Sequence, residues 1–134
     1  MTVDQEELLA EARAAASQSY SPYSRFPVGA AVATADGIVV RGCNIENASY
    51  GLGLCAERTA IFAAVAAGHR NLVAIAVSVL RGRSDQPETL MPCGACRQVF
   101  AELLAPDAVV FIDGLHAFTV KDLLPQPFRL DTPQ

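Results

Sequence analysis

Apolar positions change period several times along the chain, and each change marks an element. Leu8, Leu9, Ala12 and Ala15/Ala16 recur at helical spacing, which predicts a helix from Asp4 to about Gln18, stopped by Ser19–Pro22. Val28–Thr34 and Ile38–Cys43 read as two strands joined by Ala35-Asp36-Gly37, an Asp-Gly hairpin signal. Cys55–Ala67 reads as a second helix closed by Gly68. Leu72–Leu80 is a nearly continuous aliphatic run, the pattern of a central strand buried on both faces. A polar loop, Gly82–Pro92, leads into a third helix over Gly94–Leu104, which stops before Pro106. Two short strands, Ala108–Ile112 and Ala117–Val120, follow.

Only Asp113-Gly114-Leu115-His116 links those last strands, enough for a hairpin and too short for a parallel crossover. The predicted architecture is α/β: a five-stranded mixed sheet between helices, a three-layer α/β/α sandwich forming one domain over residues 1–134. Apolar residues make up 51% of the sequence and charged residues 18%, a composition able to build a core. The longest apolar runs, Leu72–Leu80 and Ala60–Ala67, are too short for a membrane span. The start, Met1-Thr2-Val3-Asp4-Gln5-Glu6-Glu7, is acidic and has no basic segment followed by an apolar one, so the expected compartment is the cytoplasm. Net charge is −4, and Arg81 and Arg83 form the densest basic pair. That balance points away from nucleic acid and toward small neutral substrates.

Charge alone names no reaction; the cysteines narrow it. There are four, Cys43, Cys55, Cys93 and Cys96, which in a reducing compartment read as thiols, metal ligands or redox groups rather than structural disulfides. Cys93 and Cys96 stand three apart at the start of the third helix, so both sulfurs can reach one ion. Cys55 opens the second helix, with Glu57 close by. Three thiolates on Zn²⁺ leave a net charge of about −1, and helix N-termini draw charge back from the sulfurs. Arg58, three residues after Cys55, can donate to the same thiolates. Three protein ligands leave the fourth tetrahedral position open, as in catalytic zinc sites. A thioredoxin-type dithiol would sit early, after the first strand, whereas this pair follows a late aliphatic one. A closed four-cysteine site would need Cys43, whose spacing to Cys55 is not that of a zinc knuckle; Cys43 reads as a small buried hydrophobe. A scaffold without catalysis would have no use for Glu57.

Cys55-Ala56-Glu57-Arg58 followed by Pro92-Cys93-Gly94-Ala95-Cys96 resembles the cytidine deaminase family. The resemblance extends to Tyr20–Ala31, to Asn44-Ile45-Glu46-Asn47 and to Leu123-Leu124-Pro125-Gln126-Pro127-Phe128, in the family's order. Cys rather than His at position 55 is similar to the all-cysteine branch, which holds small homotetrameric nucleoside enzymes and blasticidin-S deaminase. His69 and His116 lie in no such motif and read as surface residues. The resemblance implies one Zn²⁺ per chain on Cys55, Cys93 and Cys96, with Arg58 beside it and Glu57 as proton carrier. It implies Asn44 and Glu46 on the ribose hydroxyls, Phe26 stacked on the pyrimidine and the Ala56 backbone at the base edge. It also implies a homotetramer in which Phe128 reaches a neighbouring subunit's site. The implied reaction converts cytidine or 2′-deoxycytidine to the uridine with release of ammonia, with blasticidin S as the alternative substrate.

Overall fold

In the computed structural model of this chain, which describes residues 3–131, Asp4 starts the first helix. Its side chain accepts the Glu7 N–H at 3.2 Å, capping α1 (Gln5–Ala16). Chain order continues with β1 (Val28–Thr34), β2 (Val39–Cys43), α2 (Ala56–Ala66), β3 (Leu72–Val79), α3 (Gly94–Leu103), β4 (Leu104–Ile112), β5 (Ala117–Thr119) and α4 (Val120–Leu123). Short 3₁₀ turns at Tyr50–Leu52 and Pro87–Thr89 interrupt the two long loops. Met1 and Thr2, part of the acidic start read above, lie outside the described residues. No helix among the described residues is long and apolar enough to cross a membrane.

The sheet order is β2-β1-β3-β4-β5. β1 is antiparallel to both β2 and β3, β3 and β4 are parallel, and β4 and β5 are antiparallel. The mixed five-stranded sheet, the three layers and the closing hairpin are those the sequence predicts. Gly37 and Gly114, both at φ 90°, take the left-handed turn positions of the two hairpins.

Strand alternation sorts the core into two faces. Ala31 and Ala33 of β1 and Ala74 and Ala76 of β3 meet Leu8, Leu9 and Ala12 of α1. Ala30, Val32, Ile75 and Val77 point the other way, against Ala60, Ile61 and Ala64 of α2 and Phe100 of α3. β3 is therefore buried on both sides, as its unbroken aliphatic run requires. α2 rides directly on β2: a Cβ on Gly42 would sit 2.3 Å from the Ala60 nitrogen and 2.7 Å from the Ala56 carbonyl oxygen. Backbone cannot yield as a side-chain tip can. Gly42→Ala is thus expected to destabilise the fold by about 1–3 kcal/mol, read as a lower urea midpoint at unchanged slope.

The starts of β4 and β2 and the end of β5 depart from the sequence reading. β4 begins at Leu104 rather than Ala108, because Leu104 pairs with Leu72 and the register then shifts before Ala74 meets Val109. Pro106 lies in the displaced stretch, where it costs the ladder no hydrogen bond. β5 ends at Thr119 because Thr119 and Asp122 form a capping box that turns Val120 into a helix. β2 starts at Val39, since Ile38 is taken up by the hairpin, its N–H donating to the Thr34 hydroxyl.

Candidate active site

Cys55 and Cys93 occupy the same local position, the N-cap residue of α2 and of α3, each in extended backbone conformation. Neither side chain makes a capping bond, so both sulfurs are free to point beyond the helix end. Cys96, one turn into α3, is fully buried. The Cys55 and Cys93 sulfurs are 3.7 Å apart and those of Cys93 and Cys96 3.5 Å, with all three within 4.8 Å of one another. Tetrahedral zinc at about 2.3 Å from each sulfur places its ligand sulfurs about 3.8 Å apart, so this donor set fits the metal. Among the described residues no other group of His, Cys, Asp and Glu comes together in this way. Cys43 stays outside it, half-buried, its thiol donating to the Gln18 carbonyl at 3.5 Å.

Charge around the sulfurs favours thiolate at Cys55. A hydrogen bond from Cys96 draws the Cys55 thiol down to about 5, against the effect of burial and helped by Arg58. The same bond, together with burial, pushes Cys96 up. Arg58 Nη2 donates to Cys55 Sγ at 3.4 Å, and that bond raises the guanidinium's own pKa. Arg58 Nε is buried without a partner among the described residues, so a concentrated negative charge nearby is what offsets its burial. Glu57 is only 4% exposed. Burial pushes its carboxyl up to about 7, with the Cys55 charge adding in the same direction, so it can both take and give a proton near neutrality.

A cavity of about 340 Å³ opens beside the sulfurs. Cys55, Ala56, Glu57 and Cys93 line one end, and Phe26, Asn44, Glu46 and Ser24 the other. The structure thus brings together eight positions drawn from four stretches of the chain. Asn44 does more than face the cavity. Its Nδ2 donates to the Phe26 carbonyl at 2.9 Å, while its Oδ1 accepts from Val28 N at 2.9 Å and from Ser19 Oγ at 2.5 Å. One amide N–H of Asn44 is left for a ligand. Glu46 accepts on Oε1 from the Tyr23 and Ser24 N–H groups at 3.0 and 3.1 Å, and on Oε2 from Ser24 Oγ at 2.5 Å. Arg25, at φ 55°, is the one non-glycine among the described residues in the left-handed region, and it turns Phe26 back toward the cavity.

Phe128 is not part of this chain's cavity. It is 67% exposed, and Gln98 holds its backbone from both sides: Nε2 donates to the Phe128 carbonyl at 2.8 Å and Oε1 accepts its N–H at 3.1 Å. Thr89, Leu90 and Met91 also line the cavity. Sequence reading missed them because they sit in a polar loop whose return to the site is a tertiary event. Tyr50, 81% exposed, instead lines an outer cleft of about 410 Å³ with Tyr23, Ser24 and Glu46, its ring edge-on to Tyr23 at 6.2 Å.

The family profile described as the cytidine and deoxycytidylate deaminase zinc-binding region matches residues 2–112. A cytidine deaminase of Halalkalibacterium halodurans is 50% identical over 133 residues, covering 96% of this chain and 97% of that protein. The crystal structure of cytidine deaminase from Burkholderia pseudomallei matches with a TM-score of 0.82 at 45% identity, covering 94% of this chain and all of that one. A blasticidin-S deaminase of Bacillus cereus is more distant, 33% identical over 105 residues, or 73% of this chain and 74% of that protein.

Proposed function

This chain belongs to the cytidine and deoxycytidylate deaminase family, and from that membership we propose that it hydrolyses cytidine and 2′-deoxycytidine to uridine and 2′-deoxyuridine, releasing ammonia, as a single-domain enzyme. The observation that carries the reading is the cavity: a cysteine cluster and a buried carboxyl at one end, an aromatic ring and sugar-sized polar groups at the other.

Cys55, Cys93 and Cys96 would hold Zn²⁺, which supplies the Lewis acidity that makes water a nucleophile near neutral pH. Glu57 does the proton work. Its carboxylate takes a proton from the attacking water and delivers it to N3 of the pyrimidine, which leaves C4 electron-poor. Once the water oxygen has bonded to C4, Glu57 carries the second proton to the exocyclic nitrogen, and ammonia departs. Phe26 offers a ring face for the base and the Ala56 backbone an edge contact, while Asn44 and Glu46 take the ribose. Arg58 moderates the thiolates through its bond to Cys55.

The zinc-loaded protein is expected to turn over cytidine in an ultraviolet assay. A chelator should abolish the signal and added zinc restore it; turnover that survives metal removal would contradict the reading. Blasticidin S is the second candidate, and the nucleoside is favoured because Asn44 and Glu46 both reach the cavity. Side-by-side rates on the two compounds separate them.

Four copies of the chain would complete the sites, with Phe128 entering a neighbour's cavity. Its exposed ring, held on a fixed backbone and absent from its own cavity, supports that arrangement. Light scattering is expected to return four chain masses. The four free thiols suit a reducing cytoplasm.

A further inference from the structure

Ser24 lies in the Tyr20–Ala31 stretch, where the sequence assigns it no role of its own, and it bonds to both Glu46 and Phe26 in the substrate cleft. Its hydroxyl donates to Glu46 Oε2 at 2.5 Å and accepts the Phe26 N–H at 3.1 Å, and its own N–H donates to Glu46 Oε1. A carboxylate has about four acceptor positions. Tyr23 N–H and Ser24 N–H fill both on Oε1, and the Ser24 hydroxyl fills one on Oε2. One acceptor position remains, on an oxygen whose direction the Ser24 hydroxyl fixes.

We propose that Ser24 is a positioning residue for sugar recognition: by holding Glu46 Oε2 and the Phe26 backbone together, it aims the single free acceptor of Glu46 at a sugar hydroxyl. The proposal rests on the reading that Glu46 contacts the ribose. Such an acceptor takes an O–H donor and repels an anion, so the class of ligand it selects is a nucleoside whose sugar hydroxyls are free. The Ser24 hydroxyl also holds the Glu46 carboxyl below the usual carboxylate range, which keeps it an acceptor.

The experiment compares cytidine with 2′,3′-dideoxycytidine on zinc-loaded wild type, Ser24→Ala, Ser24→Thr and Glu46→Gln, with metal content checked for each. Wild type is expected to prefer cytidine, and Glu46→Gln to lose most of that preference. Ser24→Ala should raise KM for cytidine about 10-fold with kcat changed less than about 3-fold, as expected for one charge-assisted hydrogen bond. Its kcat/KM for the dideoxy compound should stay near wild type, and Ser24→Thr, which keeps the hydroxyl, should restore the cytidine KM. An equal loss on both substrates would mean that Ser24 only supports the loop, and no loss on either would mean that it does nothing; both overturn the proposal. If Glu46→Gln loses the preference while Ser24→Ala keeps it, the ribose reading stands and the Ser24 proposal falls. If wild type shows no preference, the ribose reading falls and takes the proposal with it. Should Ser24→Ala not fold, Ser24→Cys, whose thiol is a poor donor, carries the same comparison.

Discussion

Glu57→Ala is expected to keep its zinc and lose its turnover. The three sulfurs come from other residues and lie within reach of one ion without help from the carboxyl, so metal content should remain at one per chain. Removing the proton carrier forfeits general acid–base catalysis, about 10²–10⁴-fold in kcat, and more if both proton transfers depend on the same group. Truncating a side chain that is almost wholly buried also leaves space, so some thermal stability is expected to go with it. The measurement is metal analysis beside steady-state kinetics on the same preparation. Loss of zinc in Glu57→Ala would make the carboxyl a ligand and remove it from the proton pathway.

Cys96→Ala is expected to empty the site. Cys96 is fully buried and supplies one of the three sulfurs that come within reach of a single ion. Two sulfurs at helix N-caps remain, too few for a catalytic zinc site of three protein ligands. Metal content should fall to near zero and activity by more than about 10⁴-fold, since metal activation and proton transfer act as one unit. Cys43→Ser is the matched control. Its sulfur is outside the cluster, so zinc and kcat should both be retained. Zinc lost from Cys43→Ser would instead favour a closed four-cysteine structural site.

What could be read from the sequence was what local rules decide. Val28–Thr34 emerges with the predicted limits because apolar content and an Asp-Gly turn bound it. Cys55 and Cys93 stand at helix starts, as the order of polar and apolar residues around them implies. The misses are of two kinds. α4 was overlooked although Thr119 and Asp122 carry a local capping signal, because Val120 reads equally well as the end of a strand. Asn44 was named for the ribose, but its anchoring lay beyond any local rule. Its amide is tied to Phe26, Val28 and Ser19, contacts set by how β2 lies against β1 and the loop before it. Leu90 and Met91 share that limit, since only the return of their loop makes them part of a wall.

The two faces of the sheet leave the chain unequal room for sequence drift. Beneath α1 the strands contribute Ala31, Ala33, Ala74 and Ala76, and a Cβ on Gly29 would lie 2.0 Å from the Ala12 carbonyl oxygen. Apart from glycine, every exchange at those alanines adds volume to a layer with none to spare. Across the sheet, Ile75, Val77, Val110 and Phe100 can shrink and be compensated by a neighbour that grows. A lineage of this chain can therefore wander more on the side that carries Cys55, Cys93 and Cys96. The side beneath α1, opposite that cluster, is the one confined to its present residues.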